Sequence, residues 1–155
     1  MRVYVASSWR NEAAQQSVVA ALRSVGHEVY DFRNPHATGT GSNGEKGKGF
    51  SWKEIDPNWQ SWTPDQFRDA LEHERPIDGF NSDMDALKWC DACVMVPGKT
   101  AGRSMHLELG FVAGAGKPTA ILLSDGEPEL MYRMAELCLS VQDVIQFLAR
   151  SKRGS

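Results

Sequence analysis

The stretch DACVMVPGKTAGRSMHLELGFVAGAGKPTAILL, Asp91 to Leu123, decides the fold. A short apolar run bounded by turn residues, Asp91 to Val96, reads as a buried strand. Pro97 to Ser104 is a polar loop, Ser104 to Ala115 a helix, and Pro118 to Leu123 a second buried strand. Strand, helix and strand in that order predict a parallel pair with a right-handed crossover. The chain opens with the same unit. Arg2 to Ala6 reads as a strand and Ser7 to Arg10 as a loop. Asn11 to Val25 has helical spacing (Val18, Val19, Leu22, Val25) stopped by Gly26, and His27 to Phe32 reads as a strand.

Between the two units the pattern breaks. Thr38 to Gly49 is a polar run holding Gly39, Gly41, Gly44, Gly47 and Gly49, read as a mobile loop. Phe50, Trp52, Trp59 and Trp62 follow. Thr63-Pro64 is an N-cap with proline at the first helical position, for a helix reaching about His73. A second helix is expected over Ile77 to Cys90. Beyond Leu123 the sequence predicts a helix over Glu127 to Glu136 and a short fifth strand at Leu137 to Leu139. A last helix starts at the capping-box-like Ser140 to Asp143 and ends near Arg150. The expected fold is α/β: a doubly wound, flavodoxin- or Rossmann-like parallel sheet of five strands, order 2-1-3-4-5. One domain covers residues 1–150, with a Gly/Trp-rich insertion at about 33–63, and residues 151–155 should fray.

Composition narrows the function classes. The chain has 155 residues, with 41% hydrophobic and 24% charged content, ordinary for one globular domain. The net charge of -3 announces no basic face for nucleic acid. No apolar run approaches the ~20 residues of a membrane span. The chain enters a strand directly at Met1, without a signal-peptide pattern. Cys90, Cys93 and Cys138 sit in apolar surroundings, and the C-x-x-C pair has no second pair. Buried thiols in a reducing cytoplasm are the expectation. His27, His36, His73 and His106 lack metal-ligand spacing, so neither metal nor cofactor is expected.

In sheets of this kind ligands bind beyond the carboxyl ends of the strands, where the order reverses. The loops Ser7 to Arg10 and Pro97 to Ser104 flank that point. Glu108 lies about one turn into the helix that follows. A solvated carboxylate is the commonest fate of a Glu. Here the neighbours Met105, Leu107, Leu109 and Phe111 argue for enclosure, and the field of the helix N-terminus is expected to keep Glu108 ionised as a nucleophile. Asp83 and Asp85 are also explained as helix-capping acids, and Asp91 as a turn acid. Yet Asp83, Asp91 and Glu108 are all expected near one end of the sheet. Two carboxylates in unlike environments are what glycosidic cleavage uses. Gly102, Arg103 and Ser104, at a helix start, form a potential anion site, with Ser7, Ser8 and Arg10 as the opposite wall. The tryptophans, Trp9 among them, are explained equally well by base stacking and by core filling under a loop.

Together these residues resemble the nucleoside 2-deoxyribosyltransferase family, including its deoxynucleoside 5′-monophosphate N-glycosidases. The match consists of Tyr4 to Arg10, Asp83 eight residues before Asp91, Val94 to Val96, Glu108-Leu-Gly110 and Gly116-Lys-Pro118. It covers about 1–32 and 77–123. The resemblance implies that Glu108 attacks C1′ of the sugar, that Asp83 protonates or holds the base, and that Asp91 orders the site. It implies that Ser8, Arg10 and Ser104 hold a 5′-phosphate, with Arg103 in addition, and that Tyr4, Ser7, Trp9 and Gly102 line the substrate. It also implies a homodimer or larger homo-oligomer, whose neighbouring subunit completes the site. Met131 and Tyr132 are the nearest equivalents of that completing segment. The family has no equivalent of residues 33–62. Two other readings stand beside this one: a nucleotide-binding sensor without turnover, and an NAD-type glycohydrolase.

Overall fold

The computed structural model describes residues 1–35, 49–98 and 102–153. The Gly-rich run expected to be mobile lies almost wholly outside them, as do Lys99 and Thr100. The elements are β1 (Arg2–Ser7), α1 (Glu12–Ser24), β2 (Glu28–Tyr30), α2 (Pro64–Ala70), α3 (Glu74–Trp89), β3 (Ala92–Val96), α4 (Ser104–Gly114), β4 (Thr119–Leu122), β5 (Glu136–Cys138) and α5 (Val141–Arg153). All five strands are parallel, in the expected order β2-β1-β3-β4-β5. The central pair runs in register from Val3 opposite Ala92 to Ser7 opposite Val96.

The strands lack polar/apolar alternation because both faces are covered. Val3, Val5, Val29, Val94 and Ala120 turn toward α1 and α5, meeting Val18, Val19, Leu22, Val144 and Leu148. Tyr4, Ala6, Tyr30, Cys93, Met95 and Ile121 turn the other way. They meet Ala86 and Leu87 of α3 and Met105, Leu109 and Val112 of α4. The period of two along β1 therefore places Tyr4 on the face that carries the candidate acids.

Four local expectations change. α3 starts at Glu74 rather than Ile77, because the His73 side chain accepts the Arg75 amide and Pro76 is tolerated in a first turn. Asp83 and Asp85 are therefore mid-helix and cap nothing. The helix expected over Glu127 to Glu136 shrinks to a 3₁₀ segment, Leu130–Met134, after Gly126 and Pro128, with Glu129 capping the Met131 amide. The last helix continues to Arg153 instead of fraying after Arg150. Arg150, Lys152 and Arg153 sit favourably at its negative end. Beyond these changes, Lys117 donates to the carbonyls of Leu87, Lys88 and Cys90, closing the exposed end of α3.

Leu148 is fully buried between α5 and the sheet. Leu148→Ala should cost about 2–5 kcal/mol in a denaturant melt. A loss below about 1 kcal/mol would show that α5 is not part of the cooperative core.

Candidate functional site

The two loops meet. Ser8 is buried at the end of β1, and Gly102 approaches it so closely that a Cβ there would lie 3.2 Å from Ser8 Cβ and 3.3 Å from its Oγ. A side chain at position 102 would push the loops apart. Ser7 is used structurally, its Oγ donating to Val96 O at 2.7 Å. Asn11, missed in the sequence, donates from Nδ2 to the same carbonyl at 3.1 Å. Arg10 is exposed, and its backbone amide rests on Ser8 Oγ. Arg103, at the N-cap of α4, and Ser104, its first residue, are exposed, with no side-chain cap on the helix amides. The His106 amide turns back to Arg103 O, and the Ser104 and Met105 amides before it remain as donors near the end of the sheet where Ser8 lies.

Below this lip, α3 brings Asp83 and α4 brings Glu108 to the tyrosines of the sheet. Tyr30 and Tyr4 stack with centroids 5.1 Å apart. The Tyr30 hydroxyl donates to Asp83 Oδ1 at 2.8 Å. The Tyr4 hydroxyl is buried and makes no hydrogen bond of normal geometry among the described residues. It nevertheless lies near enough to Glu108 to draw that carboxyl's pKa part of the way down. Burial is the dominant influence on both acids. It pushes Asp83 up to about 6, against the opposing hydrogen bond from Tyr30. It pushes Glu108 up to about 8, with the charge of Asp83 adding to the effect.

The expectation that the helix field keeps Glu108 ionised is therefore corrected. Glu108 follows four helical residues of α4 and falls outside its first turn, where that field is concentrated. Desolvation beside a second carboxylate outweighs what remains. Asp91 is also corrected. It precedes β3, so it sits at the amino end of the sheet, where Arg2 holds it in a bidentate pair and lowers its pKa. The site at the carboxyl end is built without it.

Trp9 projects from the β1–α1 loop and is 45% exposed. Arg33, unforeseen in the sequence, lies 4.7 Å over its ring. The same guanidinium donates to the carbonyls of Ser8 and Trp9 and to Gln15 Oε1. Gln15 is held in turn by buried Asp31. Arg33 could have been found by noting that it follows β2 on the ligand-binding edge. Tyr30 was legible only as a core residue of β2. His106 stacks on Tyr132 of the same chain, with Nε2 3.2 Å from the hydroxyl. Met131 is exposed beside it. Among the described residues no cluster of three metal-ligating side chains occurs, and no helix is long and apolar enough to cross a membrane.

Glu108 keeps its proton in the folded chain between about 4.5 and about 8, a range where an unfolded chain has released it. The folded state holds the extra proton, so this group's contribution to stability falls as pH rises through that window. The melting temperature of Glu108→Gln should therefore gain on wild type from pH 5 to pH 9. A difference independent of pH would place Glu108 in water.

No protein-family model and no curated protein sequence matches the chain. Solved structures do. The 2-deoxyribosyltransferase of the psychrotolerant bacterium Bacillus psychrosaccharolyticus superposes with a TM-score of 0.57 at 22% identity, over 93% of this chain and 90% of that one. The CMP N-glycosidase BcmB of Clostridium botulinum superposes with a TM-score of 0.53 at 16% identity, over 96% and 99%. This chain is thus folded, along nearly its whole length, as a 2-deoxyribosyltransferase and a CMP N-glycosidase are folded.

Proposed function

We propose that this protein is an enzyme that cleaves the N-glycosidic bond of a nucleoside or nucleoside 5′-monophosphate. The observation that carries the proposal is the pair of desolvated carboxyls, Glu108 and Asp83, under a lip of backbone amides and hydroxyls. The fold shared with a deoxyribosyltransferase and a nucleotide N-glycosidase supports it.

Two acids whose pKa values lie near 6 and 8 hold one proton between them at neutral pH. In the empty site Glu108 carries it. Positive charge developing at C1′ favours Glu108 as the anion, and the proton then belongs to Asp83. Glu108 bonds to C1′ as the C1′–N bond breaks. The bonding pair goes to the base nitrogen, which takes the proton from Asp83. Water attacking C1′ releases free sugar and regenerates Glu108, with Asp83 taking the water's proton. A second base in place of water gives transfer. Ser8, Arg103, Ser104 and the free amides of α4 supply donors for a 5′-phosphate.

Glu108→Ala should abolish release of free base, measured chromatographically over ribo- and deoxynucleosides, their monophosphates and NAD, while thermal-shift binding survives. Full activity in that variant would remove the covalent step. Binding by wild type without turnover on any substrate would establish the sensor reading. The kcat/KM profile should be bell-shaped, with limbs near 6 and 8, because only the singly protonated pair works. A profile flat across pH 5–9 would rule out this division of the proton.

The proposed assembly uses the outer face of α4. Its inner residues are buried, but Leu107 is 77% exposed and Phe111 is exposed too. Large apolar side chains exposed together on one helix mark a surface that a partner covers. We infer a second copy of the chain on this face. Sedimentation should give a dimer or larger species, and Leu107→Glu a monomer. A monomeric wild type at micromolar concentration would overturn it.

A further inference from the structure

The insertion contributes one wall of a cleft of about 400 Å³ lined by Trp9, Arg33, Gly49, Ser51, Lys53 and Glu54. That volume lies within the ~300–1,000 Å³ of small-molecule sites. The cleft opens at the carboxyl ends of β1 and β2. Trp9 directly follows Ser8 of the lip, and Arg33 stands three residues beyond Tyr30, which holds Asp83. On the glycosidase reading, a ligand with its sugar at Glu108 and its phosphate on the lip would carry its base toward Asp83, which is held by the strand that ends at this cleft.

Trp52 and Trp62 of the insertion are spent on packing. Trp52 meets Phe50, Trp62 and Phe67 edge-on, with centroids 4.8–5.7 Å apart, and Trp62 Nε1 donates to Asp56. Trp9 alone keeps nearly half its surface open while lining the cleft. Gly49 makes this possible, since a Cβ there would lie 2.4 Å from Phe32 O and 2.8 Å from the Trp9 ring.

The polar groups at the cleft are unequal. Arg33 is committed to the Gln15 side chain and the two loop carbonyls. Glu54 is committed to the Ser51 amide and to Arg75. Lys53 is exposed, and among the described residues it makes no hydrogen bond or ion pair. Its ammonium offers three donors and no acceptor. The free charge of the cleft is thus a donor beside an aromatic ring.

We propose that Trp9 and Lys53 form the base subsite and select a nucleobase with a carbonyl in place of the exocyclic amine (C6 of a purine, C4 of a pyrimidine), stacked on Trp9 with that oxygen on Lys53. This rests on the glycosidase reading. It favours an oxo base over its amino counterpart, whose exocyclic amine offers a donor where Lys53 needs an acceptor.

The test compares substrate pairs differing only in that group: hypoxanthine against adenine and uracil against cytosine, as nucleosides and 5′-monophosphates. Wild type should prefer the oxo member, and Lys53→Ala should reduce that preference about tenfold or more, as expected for a hydrogen bond to a charged group. Trp9→Ala should raise KM for both members alike, and Trp9→Phe should restore most of it. An unchanged oxo/amino ratio in Lys53→Ala overturns the proposal. So does a loss confined to monophosphates and equal for both bases, which makes Lys53 a phosphate contact. Calorimetric binding of free hypoxanthine and adenine to wild type and Lys53→Ala reads the same selectivity without turnover. If no substrate is cleaved but hypoxanthine binding depends on Lys53, the glycosidase reading fails and the subsite stands.

Discussion

Two carboxyl groups withdrawn from water at one spot cannot both be ionised near neutral pH. The chemistry proposed for the carboxyl end of this sheet rests on that constraint. Asp83 comes from the middle of α3 and Glu108 from the second turn of α4, so their separation is set by how the two helices lie on Tyr4, Tyr30, Cys93 and Met95. The helices in turn are held by rigid features. Lys117 ties the end of α3 to the loop before β4, and Met105, Leu109 and Val112 seat α4 on the sheet. The tyrosine hydroxyls then distinguish the acids. Asp83 accepts a full hydrogen bond from Tyr30, whereas Tyr4 leaves Glu108 only a weak counterweight to burial. The same chemical group thus ends with different proton affinities, the higher one on Glu108, so the proposed mechanism requires the proton to pass to Asp83 as substrate binds.

The architecture was legible because parallel strands buried on both faces leave uninterrupted apolar runs, and Tyr4 to Ala6, Cys93 to Val96 and Ala120 to Ile121 are such runs. The convergence of the loops after β1 and β3 followed from strand order alone. Asp91 was misplaced although the signal was present. A residue preceding a strand lies at the sheet's amino end, whereas ligands gather at the other. The proton affinity of Glu108 was not legible, because it depends on the number of groups that exclude water from it. Helix position gives only the weaker influence. α3 was begun too late because Pro76 resembles a boundary, and histidine is an unfamiliar cap.

Tryptophan count was a poor guide to tryptophan role. Packing and stacking both need a flat apolar ring, so sequence leaves them equal. The difference lies in partners: Trp52 and Trp62 find each other in the insertion, while Trp9 meets Phe32 by an edge and Arg33 by a face and stays half open.

Arg33 joins the lip to the cleft lined by the insertion. Carbonyl oxygens at the end of a strand repel an anion, and the β1–α1 loop carries two of them, at Ser8 and Trp9. Arg33 turns both inward onto its guanidinium, with only a tenth of its own side chain exposed. What the loop then offers outward is the Ser8 hydroxyl and the ring of Trp9. Gln15 and Asp31 complete the arrangement from within the fold, since an arginine fixed on both flanks cannot swing out to meet solvent. The buried polar network costs stability that an apolar filling would not. Its return is a loop whose two carbonyls are occupied by a cation, which suits the phosphate of the proposed substrate.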